Sequence, residues 1–73
     1  MPLVQISVPA GSLSQDQKNA LVARITDVVV DVEGIPAVRN GTWVHIHEVP
    51  DGGWGTAGQV STLAEMKARL GIS

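Results

Sequence analysis

The stretch LVQISVPAGSLSQDQKNALVARITDVVVDVEGIP, residues 3–36, holds a strand, a turn, a helix and a stop in that order, and its reading decides the fold. From Leu3 to Val8 the residues Val4, Ile6 and Val8 alternate with Leu3, Gln5 and Ser7, the period that puts one strongly apolar set on a single face of a β-strand. Pro9-Ala10-Gly11-Ser12 ends it. Ser14 stands three residues before Gln17, the spacing of a capping box at a helix start. Leu21, Val22, Ile25, Val28, Val29 and Val32 then recur at helical intervals, which predicts an amphipathic helix of about five turns. Gly34 accepts a left-handed C-terminal cap and Pro36 cannot continue the helix. Valines are poor helix formers, so burial of the apolar stripe has to hold this element.

Downstream, Thr42 to Val49 returns to strand character, with Val44 and Ile46 on one face and Trp43, His45 and His47 on the other. Pro50-Asp51-Gly52-Gly53 breaks it. Gly52, Gly53, Gly55 and Gly58 predict a loop or short hairpin around Trp54, and Thr62 with Glu65 repeats the capping-box spacing before a short helix from about Leu63 to Leu70, closed by Gly71. The fold class is α/β (α+β), one domain over residues 1–73, built on a βαβ unit whose helical crossover lets two strands run parallel. Two strands do not make a stable sheet alone. Pairing with the same unit of a second chain would give a four-stranded sheet with the helices on one face and would cover an exposed edge.

Composition leads to the same expectation. Hydrophobic residues are 44% of the chain and charged ones 16%, which is globular, but Trp43 and Trp54 are the only aromatics and there is no cysteine. Disulfide staples and thiolate metal sites are thereby excluded, and homo-oligomerisation is the remaining common remedy for so small a core. The net charge is -2, and Lys18, Arg24, Arg39, Lys67 and Arg69 are scattered, which argues against a nucleic-acid partner. No apolar run approaches the ~20 residues needed to span a bilayer, and the N-terminus lacks the basic flank of a signal peptide. A cytoplasmic protein with no membrane partner is expected, and the sequon Asn40-Gly41-Thr42 then reads as accidental.

Chemistry centres on Pro2. The small second residue favours removal of Met1, which would leave a secondary amine at the start of a strand. Desolvation disfavours the ammonium form, so such an amine is available as a neutral base near pH 7. On these residues alone, Met-Pro reads as a plain processing signal.

Four segments resemble the 4-oxalocrotonate tautomerase family: Pro-Leu-Val-Gln-Ile-Ser-Val at residues 2–8, the helix start from Ser14 to Gln17, Trp43-Val-His-Ile-His-Glu-Val, and Gly53-Trp-Gly-Thr-Ala-Gly. The resemblance implies small βαβ chains assembled as dimers, with a hexamer as a trimer of dimers favoured here. It also implies a terminal proline, here Pro2, that shuttles a proton on a small enol or dienol 2-oxo acid without a cofactor. Two arginines that bind substrate in the family's best-known members fall on Ser12 (or Leu13, allowing one insertion) and on Trp43. A hydroxyl and an indole N–H donate hydrogen bonds but bring no charge. Arg39, four residues before Trp43, is either a substitute that reaches the site from the preceding loop or a solvated loop arginine. Trp54 matches an aromatic that walls the family's pocket, and reads either as a lid over Pro2 and a conjugated substrate or as an aromatic in a subunit interface.

His45 and His47 project from one strand face, but a metal needs a third ligand and Glu48 points the other way, so no metal is expected. His45 remains a candidate donor to a substrate carbonyl. Gly53-Trp54-Gly55-Thr56-Ala57-Gly58 satisfies G-x-G-x-x-G, yet residues 59–73 leave no room for the helix and strand of a dinucleotide site. The rival to a tautomerase is a noncatalytic scaffold or binding subunit of the same fold. Same-fold dehalogenases, hydratases and decarboxylases are the other alternative.

Overall fold

The computed structural model describes residues 2–72. Strand β1 (Leu3–Pro9) leads into helix α1 (Gln15–Glu33), a 3-10 helix (Pro36–Gly41) and strand β2 (Trp43–Val49). A hairpin of β3 (Gly55–Thr56) and β4 (Gln59–Val60) follows, then helix α2 (Leu63–Arg69). β1 and β2 are parallel and in register from Leu3 opposite Trp43 to Pro9 opposite Val49. The ladder is extended at both ends, where the Trp43 N–H donates to the Pro2 carbonyl at 3.0 Å and the Ala10 N–H to the Val49 carbonyl at 2.8 Å.

The capping signals act as the sequence predicts. The Ser14 hydroxyl accepts from the Gln17 amide at 3.1 Å while the Gln17 side chain accepts from the Ser14 amide at 2.8 Å, satisfying two donors that the first turn would leave orphaned. Gly34 closes α1 in the left-handed region, at φ 71°, with its N–H on the Val30 carbonyl. The 3-10 helix is an addition to the sequence reading, since Pro36 both stops α1 and, with its fixed φ, opens the next helical turn. The apolar stripe of α1 is also rotated from the expected one. Leu21, Val22, Ile25 and Val29 are half-buried as expected, joined by Val30 and by buried Thr26, whose hydroxyl donates to the Val22 carbonyl at 2.8 Å. Val28 and Val32 instead point outward, 58% and 79% exposed.

The strand faces divide as the alternation requires. Val4, Ile6, Val8, Val44 and Ile46 are half-buried, while Leu3, Gln5, Ser7, Trp43, His45 and His47 line an open face. Lys18 of α1 reaches Glu48 at the end of β2, 2.8 Å away. Among the described residues no apolar side chain is fully buried. The radius of gyration is 15.2 Å against about 11 Å for a compact domain of this length. One chain therefore supplies only part of a core, and the hairpin and α2 extend away from the βα layer rather than close over it.

Candidate active site

Parallel pairing of β1 and β2 separates the sequence-predicted residues into two groups at opposite ends of the sheet. Pro2, half-buried, sits at the start of β1, tied through its carbonyl to Trp43. Trp43 is 64% exposed and lies on the open face opposite Leu3. Arg39 belongs to the same end but is turned aside, because its guanidinium pairs with Asp27 of α1. His45 stands opposite Gln5 on the open face, its ring edge-on to His47 with centroids 6.1 Å apart. Among the described residues no group of three His, Cys, Asp or Glu is placed to hold a metal ion.

Ser12 and Trp54 lie together at the other end, where both strands finish. They line an apolar cavity of about 360 Å³, a volume within the range of small-molecule sites, whose walls include Pro9 at the end of β1 and Leu63, Met66 and Leu70 of the C-terminal segment. The loop geometry follows from local sequence. Gly53 is tightly packed, since a Cβ there would stand 3.0 Å from Val49 Cγ1, and the Trp54 carbonyl accepts from the Ser61 amide at 2.8 Å. Asp51 caps the chain entering α2 by accepting from the Leu63 amide at 2.8 Å. The Ser12 hydroxyl is shielded from water and has no hydrogen-bond partner among the described residues, an uncompensated polar group at the edge of the cavity.

Trp54 does not lie over Pro2 of its own chain, because seven strand residues, about 20 Å, separate the two ends. Arg39 does not line the cavity, and neither do Trp43 and His45. The sequence reading missed Lys67, which does. Its signal was present in the spacing of Leu63, Met66, Lys67 and Leu70, which share one face of a helix.

The carboxylate of Glu65 anchors α2. It accepts from the Thr62 amide at 3.2 Å and the Thr62 hydroxyl at 3.0 Å. These bonds, chiefly the backbone one, hold its carboxyl below the ordinary range against the opposing effect of desolvation, with a lesser contribution from Arg69.

A parallel βαβ pair followed by a hairpin and a short helix makes this a small α+β chain. The Tautomerase enzyme family model matches residues 2–64, and the chain belongs to that family. It is 38% identical to a 2-hydroxymuconate tautomerase of Comamonas testosteroni over 58 residues, 80% of this chain and 87% of that one. It is 35% identical to a probable tautomerase of Ralstonia nicotianae over 69 residues, 94% of each chain. Among solved structures, an apo unfused 4-oxalocrotonate tautomerase superposes with a TM-score of 0.72 at 30% identity, covering 82% of this chain and 93% of that one. A 4-oxalocrotonate tautomerase isozyme from Methylibium petroleiphilum gives 0.73 at 28% identity, covering 93% and 98%. Among the described residues no helix is long and apolar enough to cross a membrane.

Proposed function

We propose that the protein is an enol–keto tautomerase acting on a small enol or dienol 2-oxo acid, with Pro2 as the proton-transfer group once Met1 is removed. The observation that carries this reading is the membership of a tautomerase family whose match begins at Pro2. Met1 itself lies outside the described residues. The neutral amine takes the proton of the enol hydroxyl, and the resulting ammonium returns a proton to the conjugated carbon. The C=C–O–H unit becomes H–C–C=O, with no net change of oxidation state or proton count.

Since Pro2 and the Ser12–Trp54 cavity stand at opposite ends of one chain's sheet, the working site takes Pro2 from one chain and the cavity from another. This division supports the reading of the assembly as a dimer with a four-stranded sheet, favoured as one of three in a hexamer. Ser12 serves as a hydrogen-bond donor to substrate and Trp54 as an apolar wall that disfavours the ammonium form of the incoming Pro2. Arg39, Trp43 and His45 are candidate donors only through contacts that a second chain creates.

The test is ketonisation of phenylenolpyruvate and of 2-hydroxymuconate by protein whose intact mass lacks one methionine, compared with Pro2→Ala. Loss of at least about 100-fold in kcat/KM is expected, the scale of a positioned acid–base group. Equal rates would overturn the role of Pro2. A second reading, a noncatalytic scaffold, is favoured by one feature, the uncharged Ser12 and Trp43 where arginines bind substrate in the resembling family. Retention of Met1 in native protein would support it, because the Pro2 nitrogen would then be an amide without a basic lone pair. Dehalogenase, hydratase or decarboxylase chemistry differs in using a cationic Pro2 as acid, and a pH-rate profile separates it from base catalysis.

A further inference from the structure

The wall that α2 gives to the cavity carries a single charge. Leu63, Met66, Lys67 and Leu70 follow the spacing that keeps side chains on one helix face, and all four line the cavity. A solvated lysine belongs on the opposite face, where Ala64, Glu65, Ala68 and Arg69 are exposed. Lys67 is instead half-buried, and no acidic partner is found for it among the described residues. Lys18 is matched by Glu48 and Arg39 by Asp27, while Glu65, two residues away, is held by Thr62 and faces Arg69. Ser12, whose shielded hydroxyl has no partner among the described residues, lines the same cavity. A lysine and a serine hydroxyl, neither with a partner among the described residues, set in otherwise apolar walls are complementary to an anion with an apolar body.

We infer that Lys67 and Ser12 hold the carboxylate end of a monoanionic enol or 2-oxo acid whose aryl or alkyl body lies against Trp54, Met66 and Leu70. This rests on the proton-transfer reading above and names the substrate class of that same site. A second carboxylate would be desolvated among apolar side chains with no cation to meet it, so the cavity selects against dicarboxylates by leaving a charge unpaired. The family match covers residues 2–64, so Lys67 lies outside it.

The experiment uses the full, processed chain as wild type, Lys67→Met, Lys67→Arg and Pro2→Ala. Binding of 3-phenylpropanoate and of its neutral amide is followed by tryptophan fluorescence, and turnover of phenylenolpyruvate and 2-hydroxymuconate is measured in parallel. In Lys67→Met the Kd for 3-phenylpropanoate and the KM for phenylenolpyruvate rise at least about tenfold, the loss expected for a charge-assisted contact. Affinity for the amide stays the same, and Lys67→Arg recovers most of the loss. Wild type turns over phenylenolpyruvate with a higher kcat/KM than 2-hydroxymuconate. An unchanged Kd in Lys67→Met, an equal loss of affinity for acid and amide, or a preference for 2-hydroxymuconate overturns the inference. If Pro2→Ala keeps full turnover, the proton-transfer reading fails by itself, while the acid–amide comparison still decides whether Lys67 holds a carboxylate.

Discussion

At Ala57 the backbone sits at φ 54°, the only described residue other than glycine in the left-handed region, and Gly58 follows at φ 79°. Two successive positive angles are what a two-residue hairpin turn needs to match the twist of its strands, and here they join Gly55–Thr56 to Gln59–Val60. An L-residue with a Cβ pays about 1 kcal/mol for this conformation, which glycine avoids and asparagine tolerates. Ala57→Gly is therefore expected to raise stability by about 0.5–1 kcal/mol, read as an increase in Tm at fixed protein concentration. A fall in Tm would mean that the hairpin does not hold this turn. The glycine-rich stretch was legible as loop-forming because glycines at 52 and 58 supply positive φ and those at 53 and 55 close approach. The strain at Ala57 was not legible, because alanine gives no turn signal of its own. Trp54 stands out by its place in a motif and Ser12 by lining the motifs up, whereas Lys67 lies outside every motif and needs the helix face to single it out.

Helix α2 shows how capping chemistry places one wall of the cavity. Its first turn is closed reciprocally by Thr62 and Glu65, and its entry by Asp51, so a helix of seven residues is fixed at its N-terminal end by three side chains. Such a helix has little stability of its own. Because Glu65 titrates below its ordinary range in the folded chain, the ionised carboxylate stabilises α2 above that range. That contribution is lost as pH falls through the lowered value. Hydrogen exchange of the α2 amides should accordingly show protection, corrected for intrinsic rates, that is constant at neutral pH and drops only at acid pH. Protection that fell instead between pH 6 and 8, or that Glu65→Gln left wholly unaltered at neutral pH, would assign the anchoring elsewhere. Both capping boxes were legible as four-residue patterns, and the observed α1 and α2 begin one residue after the capping Ser14 and Thr62. The 3-10 helix was not, since Pro36 reads equally as a stop. Val28 and Val32 face outward against the expected stripe because β-branched residues fill both sides of the second half of α1, leaving the period ambiguous.

Across the whole molecule the deficit read from composition recurs as geometry. The described chain has two long open strand edges, no fully buried apolar side chain, and Val28, Val32, Ile35 and Leu3 exposed. Association is expected to complete the core, which makes stability depend on concentration. Melting at protein concentrations spanning a hundredfold should shift Tm upward with concentration, with sedimentation reporting a multiple of the chain mass. A monomer with an invariant Tm would contradict the assembly. The βαβ order was legible because strand and helix periods switch cleanly at Pro9 and Gly34, but which residues share a site was not, because parallel strands put Pro2 and Trp54 at opposite ends.

That separation gives the most direct test of the central claim, that Pro2 of one chain works in the cavity of another. Pro2→Ala replaces the ring-fixed secondary amine by a primary one, and Ser12→Phe fills the cavity, so each alone should lose at least about 100-fold in activity on phenylenolpyruvate. Denatured together at equal amounts and refolded, the two variants should recover about a quarter of wild-type activity, because random association puts an intact Pro2 beside an open cavity in that fraction of sites. A mixture as inactive as its components, in assemblies shown by mass to contain both variants, would contradict the account.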